Sequence, residues 1–401
     1  MKFLMTTTFY PPFHIGGDAV FVKRLAEELV NRGHEVHVMF SYDAYKLKGF
    51  KNGNTILQNE VRLHILNSPH GRISPISAYT WGKSIHYSRQ FKKLVDEIHP
   101  DVVNHHNVSL LGYDLFFKRG EYVNVHTIQD HWLICQLNGL FKDEMICDRT
   151  GSCVACAMRH KRPPQFWRNR KGFESAKGNL DIVIASSQYM KNILAKEFKE
   201  PISMLPNFVP KPPDTITSSG ISDYYLYAGV LEEHKGVLDL LNAWLGMRCY
   251  KGTESGLVFA GDGSLRRLLE DKVKEYADYG INNLFVLGKC NMSKLYSLYY
   301  GAIALIVPSR CPDNNPLVAL EALSVGTPAI TSNVGGLPEI ADLQGKGFCT
   351  DKANLVNFIS YWDHHPRPSR DYLRKIYSDH FSTDKYIENY LNVIATKLGK
   401  K

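Results

Sequence analysis

The sequence has no long apolar run, little cysteine and no low-complexity tract. Its 401 residues contain no stretch approaching the ~18 to 20 consecutive apolar residues that a membrane-spanning helix needs. Eight cysteines are too few for a disulfide scaffold, and 44% hydrophobic with 22% charged residues excludes disorder and a collagen repeat. The first residues, MKFLMTTTFYPPF, lack the apolar segment and cleavage site of a signal peptide. We therefore expect a cytoplasmic globular protein.

The net charge of +8, from 48 Lys and Arg against 40 Asp and Glu, favours anionic partners. Residues 149–171 contain seven basic side chains and no acidic one, and Phe166, Trp167 and Phe173 lie in or beside this run. Because cations beside exposed aromatic rings suit an anionic bilayer, residues 159–173 are a candidate for peripheral attachment to the inner face of the membrane. A solvated loop is the alternative reading, and we expect no nucleic-acid partner.

Strand-like and helix-like segments alternate along the chain, which predicts an α/β fold of parallel sheets covered by helices. A proline-rich stretch at 208–220 interrupts the alternation and is the predicted linker. We expect two Rossmann-like doubly wound domains facing across a cleft, with ligands at the carboxyl ends of the strands. The predicted domains are 1–207 and 221–380, and a C-terminal helix at about 381–401 crosses back to complete the first.

The segment PSRCPDNNPLVALEALSVGTPAITSNVGGLPE, residues 308–339, carries the most chemistry. A buried strand is followed by a loop and then by a helix, of which Pro316 is the predicted first residue and Asn315 the cap. The helix start offers backbone N–H groups and a partial positive charge to a phosphate. Asp313 and Glu321 bracket it, so a diphosphate between two hydroxyl-bearing groups would fit, as in a nucleotide sugar. An ordinary capped helix with Glu321 in solvent is the alternative.

This segment resembles the donor-binding signature of the retaining glycosyltransferases of family 4, in which two acidic residues are separated by seven others and a Gly-Gly-Pro-Glu-type loop follows. Here the pair is Asp313 and Glu321, and the loop is residues 335–339; the family usually has Glu in place of Asp313. The resemblance implies the GT-B fold, with Glu321 on the donor ribose. It also implies that Asp313 and the following amides hold the transferred sugar and its phosphate. The residues in question are Asn314, Asn315, Pro316 and Leu317, of which all except Pro316 have a backbone N–H.

Three further segments are similar to the family pattern. In YLYAGVLEEHKG, residues 225–236, Gly229 forms the turn and Lys235 stands where a lysine neutralises the donor diphosphate, whereas Val230 replaces the usual arginine. In AGDGSL, Gly261 lies at the strand end expected beside the nucleotide base. In HIGGDAV, Gly16 and Gly17 match the loop that faces the donor phosphates and the acceptor, and the segment is not the G-x-G-x-x-G of NAD sites.

The segment VHTIQDHWLICQLNGLF, residues 125–141, follows a buried strand and resembles a family stretch that usually contains His-Asp-Tyr-Trp. Gln129 replaces that histidine, and a glutamine can bind a sugar hydroxyl but cannot titrate. We predict that Gln129 and Asp130 contact the donor sugar, with His131 as a substitute. His126 also lies near this position, and a structural role is the alternative for both histidines.

Four of the cysteines, Cys135, Cys147, Cys153 and Cys156, cluster in the sequence, and the last two form a C-x-x-C pair. Four thiolates could hold a structural zinc ion, whereas four free thiols are the alternative in a reduced compartment. No Asp-x-Asp pair lies at the predicted strand ends, so we expect no catalytic metal.

Together these residues and the resemblance imply a metal-independent glycosyltransferase, with Asp313, Gln129, Asp130 and Lys235 as its catalytic residues. We expect it to use a UDP- or GDP-sugar as donor, to require no cofactor, and to transfer to a glycan or a lipid-linked sugar. The resemblance alone implies retention of the anomeric configuration and a role in cell-surface polysaccharide biosynthesis. The alternatives are a sugar-nucleotide isomerase or hydrolase of the same fold, and a nucleotide-sugar-binding protein that has lost catalysis.

Overall fold

The computed structural model describes residues 1–49, 60–143, 145–149, 151–199, 201–251, 254–364 and 366–399. The chain forms two compact units. Unit 1 comprises Met1–Leu140, Cys147–Pro206 and Tyr386–Lys401, and unit 2 comprises Phe141–Ile146 and Asn207–Lys385. Among the described residues, no helix is both long and apolar enough to cross a bilayer.

Unit 1 is built on a parallel sheet, which in the described part of the chain has seven strands in the order β3-β2-β1-β4-β5-β8-β9. Its strands are β1 (Lys2–Thr6), β2 (Glu35–Ser41), β3 (Arg62–Leu66), β4 (Val102–His105), β5 (Val123–Ile128), β8 (Ile182–Ala185) and β9 (Ser203–Met204). A short antiparallel hairpin, β6 (Phe141–Lys142) with β7 (Met145–Ile146), belongs to unit 2. The central strands are buried on both faces, as parallel strands between helical layers must be.

Helices of unit 1 cover this sheet: α1 (Gly17–Asn31), α2 (Tyr42–Leu47), α3 (Ile73–Trp81), α4 (Ile85–Ile98), α5 (Cys153–Arg159), α6 (Lys171–Lys177) and α7 (Gln188–Leu194). The longest are amphipathic. In α4, Phe91, Leu94, Val95 and Ile98 recur at helical spacing and are all buried. This apolar stripe fixes the helix against the sheet.

The register of unit 1 places three loops at one edge of its sheet. Thr6 at the end of β1 pairs with His105 of β4, and His105 pairs with His126 of β5. Because the strands are parallel, the segments that follow them leave the sheet side by side. These segments carry Gly16, Asn107 and Gln129.

Unit 2 has a second parallel sheet, with the order β12-β11-β10-β13-β14-β15 in the described residues. Its strands are β10 (Tyr224–Ala228), β11 (Gly256–Ala260), β12 (Leu284–Gly288), β13 (Ala304–Val307), β14 (Ala329–Ser332) and β15 (Cys349–Thr350). Its helices are α8 (Val237–Lys251), α9 (Arg266–Ala277), α10 (Met292–Gly301), α11 (Leu317–Ser324), α12 (Leu337–Gln344), α13 (Leu355–His364) and α14 (Arg370–His380). Since β10 lies between β11 and β13, the turns that follow these three strands are neighbours.

The last helix, α15 (Thr383–Leu398), lies mostly in unit 1. Its buried face includes Tyr386 and Tyr390, and the Tyr390 hydroxyl accepts a hydrogen bond from Asn104 Nδ2 at 2.8 Å. The C-terminal helix was predicted at about 381–401, and its last two residues, 400 and 401, lie outside the described part of the chain. The α/β class with two Rossmann-like sheets is confirmed, and the observed unit 1 differs from the predicted 1–207 in excluding Phe141–Ile146.

Candidate functional site

The start of α11 in unit 2 differs by one residue from the prediction. Pro316 is the cap residue, with an extended ψ of 129°, and Leu317 is the first helical residue. Asn315 does not cap the helix, because its Oδ1 accepts the backbone N–H of Asn207 at 2.9 Å and its carbonyl accepts Asn207 Nδ2 at 2.8 Å. The predicted cap is therefore wrong, and Asn315 instead anchors the loop before α11. The first-turn amides of an eight-residue helix remain at this end, where a helix attracts an anion.

Lys235 and Asp313 form an ion pair in the same region. Lys235 ends a 3₁₀ turn, Glu233–Lys235, immediately before α8, and the two side chains are about one-quarter exposed. Burial acts to lower the pKa of Lys235, but the Asp313 carboxylate outweighs it, and the pKa is raised above its usual value. The ammonium is consequently charged at neutral pH. The sequence predicted both residues as functional but not their contact.

Two backbone contacts hold this pair in place. The carbonyl of His234 accepts the N–H of Arg310 at 3.0 Å, which ties the loop after β13 to the turn that carries Lys235. The carbonyl of Asp313 accepts the N–H of Gly336 at 2.7 Å. Gly335 has a φ of +65°, and a Cβ at this position would lie 2.4 Å from the Asp313 carbonyl oxygen. The Gly-Gly loop therefore supports the loop of Asp313, and a larger residue at Gly335 would displace it.

Glu321 lies on the buried face of α11 and is 4% exposed. The Tyr299 hydroxyl donates a hydrogen bond to Glu321 Oε2 at 2.9 Å. The alternative that placed this side chain in solvent is wrong. A buried carboxylate is costly unless it is hydrogen-bonded, and the Tyr299 hydroxyl supplies one such bond to Glu321.

The turns after β10 and β11 pack against each other through glycine. The N–H of Gly229 donates to the carbonyl of Ala260 at 3.0 Å, and a Cβ on Gly261 would lie 1.8 Å from the Gly229 carbonyl oxygen. This close approach explains both glycines without a ligand, so their contact with the donor stays a prediction. Val230 is 43% exposed, and its carbonyl accepts the Tyr227 hydroxyl at 2.7 Å.

In unit 1, the carboxylates of Asp18 and Asp130 both approach the side-chain amide of Asn107. Gly16 caps α1 with a φ of 83°, Gly17 is the first residue of that helix, and Asp18 follows. Asn107 Nδ2 donates to Asp18 Oδ2 at 2.9 Å and lies 3.5 Å from Asp130 Oδ2. The sequence predicted Asp130 but not Asp18 or Asn107, although Asp18 stands within the glycine-rich segment that it singled out.

The pair is electrostatically strained. Burial raises the pKa of Asp130 to about 7; the backbone N–H of Trp132, 2.9 Å from Oδ1, lowers it, and the charge of Asp18 raises it again. Burial likewise raises the pKa of Asp18, and the hydrogen bond from Asn107 opposes that shift. A proton or a hydroxyl donor placed between these oxygens would relieve their repulsion. Gln129 is half-buried beside Asp130 in the chain.

The two flanking histidines are part of the interior of unit 1. His126 is buried within β5, and its Nδ1 donates to the carbonyl of His105 at 2.9 Å. Burial lowers the pKa of His126 to about 4, so the ring is neutral at physiological pH. His131 is 2% exposed and packs edge-on against Tyr189 at 5.9 Å. Both positions favour the structural alternative.

The predicted zinc site is not formed. Within the described ranges, no group of three or more His, Cys, Asp or Glu side chains is arranged to hold a metal ion, and all four clustered cysteines lie in those ranges. In the part of the chain that the structure describes, Cys135, Cys147, Cys153 and Cys156 form no disulfide bond. The residues are close in sequence, but their side chains do not converge on one centre.

The basic run at 159–173 is also less exposed than predicted. Trp167 and Phe173 are 3% and 2% exposed and belong to the core of unit 1, whereas Phe166 is 59% exposed. The Arg168 guanidinium stacks on the ring of Trp167 at 4.7 Å and donates to the carbonyl of Leu133 at 3.1 Å. Arg168 therefore packs against unit 1, and the idea that all three aromatic rings face solvent is wrong.

Comparison with known sequences places the chain in a family. Residues 15–211 match the family described as Glycosyltransferase Family 4, and residues 217–367 match the one described as Glycosyl transferases group 1. An uncharacterised glycosyltransferase of Methanocaldococcus jannaschii is 26% identical over 362 residues, which cover 85% of this chain and 82% of the relative. An uncharacterised protein of the Klebsiella pneumoniae cps region is 21% identical over 97% of this chain and all of its own length.

The fold agrees with these matches. The structure of Anabaena HepE in complex with UDP superposes with a TM-score of 0.67 and 15% identity, covering 99% of this chain and 100% of the other. The parallel sheets and the helices that cover them are those of the GT-B fold. The chain belongs to glycosyltransferase family 4 and is a glycosyltransferase.

Proposed function

We propose that the protein transfers a sugar from a nucleotide diphosphate donor to a glycan or lipid-linked acceptor, with retention of the anomeric configuration. The observation that carries this proposal is the Lys235–Asp313 ion pair beside the start of α11 in unit 2. A cation next to helix-terminal amides is a diphosphate site, and a carboxylate at the same point is an acceptor for sugar hydroxyls.

In this proposal, the donor diphosphate replaces Asp313 as the partner of Lys235. Asp313 is then available to accept a hydroxyl of the transferred sugar. As the bond between the anomeric carbon and the phosphate oxygen breaks, negative charge develops on the leaving diphosphate. Lys235 and the first-turn amides of α11 are already oriented toward that charge, and such preorganised groups stabilise a transition state without reorganising.

Glu321 would hold the ribose of the donor. A carboxylate accepts two hydroxyl donors, and the vicinal diol of ribose supplies two. Tyr299 orients the side chain through its hydrogen bond to Oε2.

Gln129 and Asp130 would contact the sugar and the attacking hydroxyl. A new bond forms between the acceptor oxygen and the anomeric carbon, the bond from that carbon to the diphosphate breaks, and the hydroxyl proton passes to Asp130. Attack on the face from which the diphosphate leaves gives retention, as expected from the resemblance to the family. In this proposal, Asp130, the acceptor hydroxyl and the departing diphosphate carry out the transfer without a metal ion.

The donor and the pathway rest on relatives. The Anabaena HepE structure contains UDP, which supports a UDP-sugar, although a GDP-sugar fits the same diphosphate site. The Klebsiella pneumoniae relative lies in a cps region, which supports a role in cell-surface polysaccharide assembly. We accordingly place the enzyme in that class of pathway.

A panel of UDP- and GDP-sugars with and without glycan acceptors tests the proposal. We expect one donor to give a glycosylated product and free nucleotide diphosphate, with an α-linked product from an α-linked donor. Donor consumption without a glycosylated product would instead indicate an isomerase or hydrolase. Binding of a donor measured by calorimetry, with no turnover of any kind, would indicate a protein that has lost catalysis.

We expect the transfer rate to rise with pH through an apparent pKa near 7, because Asp130 must lose its proton to accept one from the acceptor. Below that pKa the rate should fall about tenfold per pH unit. Burial raises this pKa most, the backbone N–H of Trp132 lowers it, the charge of Asp18 raises it and that of Arg168 lowers it. The measurement is kcat/KM against pH for the wild type and Asp130→Asn.

Asp130→Asn should lose most of its activity and the ionisation near 7, whereas Asp96→Asn, an exposed change on α4, should keep both. Folding provides an independent readout. A carboxyl whose pKa is raised in the folded state binds its proton there more tightly, so the stability that Asp130 contributes should decrease as pH rises from about 4 to 7. It is measured as the difference in unfolding free energy between the wild type and Asp130→Asn. An unchanged pH profile in Asp130→Asn would remove this residue from the mechanism.

We also propose that the exposed part of the basic run, Phe166 with Arg170 and Lys171, contacts an anionic membrane surface. Each cation near such a surface contributes about 1 kcal/mol to binding. Arg170→Ala with Lys171→Ala should therefore reduce sedimentation with phosphatidylserine vesicles by at least tenfold. Lys92→Ala with Lys196→Ala removes the same charge elsewhere on unit 1 and serves as the control. Equal sedimentation of the two double variants would contradict the membrane contact.

A further inference from the structure

Unit 1 contains a cavity of about 500 Å³, which we call the basic cavity. It lies between the end of α2, the outer face of α3 and the segment after β4, and its lining includes Leu47, Lys48, Tyr79, Asn107 and Arg162. This volume is in the range of pockets that hold a small molecule, roughly 300 to 1,000 Å³. It is smaller than a nucleotide sugar would need together with an acceptor, so it suits one sugar-sized ligand.

The charges of the basic cavity are of one sign. Lys48 and Arg162 line it, and none of its lining residues in the described part of the chain is an aspartate or glutamate. Both residues have much of their surface exposed. Partial burial of Lys48, together with the charge of Arg162, nevertheless lowers the pKa of Lys48. Two cations that repel each other across a cavity are stabilised by a ligand that carries negative charge.

The cavity is connected to the carboxylate pair through Asn107. Asn107 lines the cavity, and the same side chain bonds Asp18 and approaches Asp130. Its Oδ1 accepts both the N–H and the hydroxyl of Ser109, at 3.1 and 2.7 Å, so the amide is fixed in orientation. The lining therefore combines two cations, an amide in contact with the carboxylate pair, and apolar side chains such as Phe9 and Leu110.

We propose that the basic cavity binds the acceptor and that this acceptor is phosphorylated, with its phosphoryl group at Lys48 and Arg162 and its attacking hydroxyl at Asp18 and Asp130. The inference rests on the proposed function and specifies its acceptor class. Arginine and lysine are the side chains that bind phosphoryl oxygens, and two of them match a dianion better than a carboxylate. The apolar residues that line the cavity contact the carbon face of the sugar ring.

The phosphoryl group could belong to a soluble sugar phosphate or to a lipid-linked sugar, and the test separates the two. Calorimetry with glucose 1-phosphate, glucose and glucuronate measures the first. Flotation with phosphatidylcholine vesicles that contain a glucosyl polyprenyl phosphate, against vesicles without it, measures the second. We expect binding of at least one phosphorylated probe, at least tenfold tighter than that of glucose or glucuronate.

Lys48→Ala with Arg162→Ala should weaken binding of the phosphorylated probe by tenfold or more, because each charge-assisted hydrogen bond contributes a factor of about ten or greater. Lys92→Ala with Lys196→Ala, the charge-matched control outside the lining of the cavity, should change binding by less than twofold. Thermal unfolding of each variant checks that the fold is retained. Calorimetric titration of UDP and GDP in the same samples reports the donor site separately.

Failure of both phosphorylated probes to bind the wild type, equal binding of glucuronate, or equal loss in the control variant would overturn this inference. If UDP or GDP still binds in those samples, the acceptor assignment alone has failed. If the wild type binds neither UDP nor GDP, that result would instead count against the proposed function.

Discussion

Lys235→Gln is expected to lower the rate of sugar transfer by about 10² to 10³, the effect typical of removing one preorganised charge-stabilising group. Lys235 would contact the leaving diphosphate most strongly as its charge develops, so the loss should appear mainly in kcat. The measurement is steady-state kinetics with the preferred donor. Lys272→Gln, which removes an exposed lysine paired with Glu275 on α9, is the matched control.

The ion pair complicates a single substitution, because Lys235→Gln leaves the Asp313 carboxylate without its cation. Lys235→Gln combined with Asp313→Asn removes both charges and restores a neutral pair. If the lysine acts on the diphosphate, the double variant should fold as stably as the wild type and still transfer sugar slowly. Recovery of wild-type kcat in the double variant would mean that the ion pair had only a structural role.

Glu321→Gln is expected to weaken binding of UDP or GDP by about ten- to a hundredfold, the range for losing charge-assisted hydrogen bonds to a donor ribose. Glutamine keeps the volume of the side chain and an oxygen that can accept the Tyr299 hydroxyl, so the thermal stability should change little. Calorimetry with UDP, GDP and the corresponding 2′,3′-dideoxy nucleotides measures the effect.

The dideoxy nucleotides make this test specific to the ribose. They should bind the wild type as weakly as the natural nucleotides bind Glu321→Gln, and should bind both proteins equally. Glu275→Gln, a carboxylate change on the surface of α9, is the control and should leave all affinities unchanged. If Glu321→Gln and the wild type bind UDP and GDP equally, the carboxylate does not hold the ribose.

Much of the fold follows from local sequence. The alternation of strand-like and helix-like segments predicted parallel sheets covered by helices, and the structure contains two such sheets, whose central strands are largely apolar. That pattern does not identify β3, Arg62–Leu66, in which only Leu66 is buried. An edge strand with charged residues lacks the apolar pattern that identifies a central one.

The sequence was less able to predict which side chains meet. Asp313 and Lys235 are 78 positions apart, and only the sheet order β10-β13 brings their loops together. Asp18 and Asp130 likewise meet through Asn107 because β1, β4 and β5 are neighbours in the sheet. Pairing in a parallel sheet is a long-range property that neither propensity nor motif spacing determines.

The errors at single residues have similar causes. Asn315 and Pro316 have the composition of a helix start, but a tertiary contact with Asn207 engages the asparagine and shifts the helix by one position. Trp167 and Phe173 lie in a basic segment that suggests exposure, yet both rings complete the core of unit 1. Local composition describes the segment, whereas the neighbouring elements decide which of its side chains are buried.

The central claim is that the donor diphosphate binds in unit 2 at Lys235 and the start of α11. A crystal structure with UDP or GDP bound tests it most directly. We predict diphosphate oxygens within about 3 Å of Lys235 Nζ and of the first-turn amides of α11, the Lys235–Asp313 ion pair broken, and the ribose hydroxyls on Glu321. A nucleotide bound elsewhere, or one bound with that ion pair intact, would contradict the account.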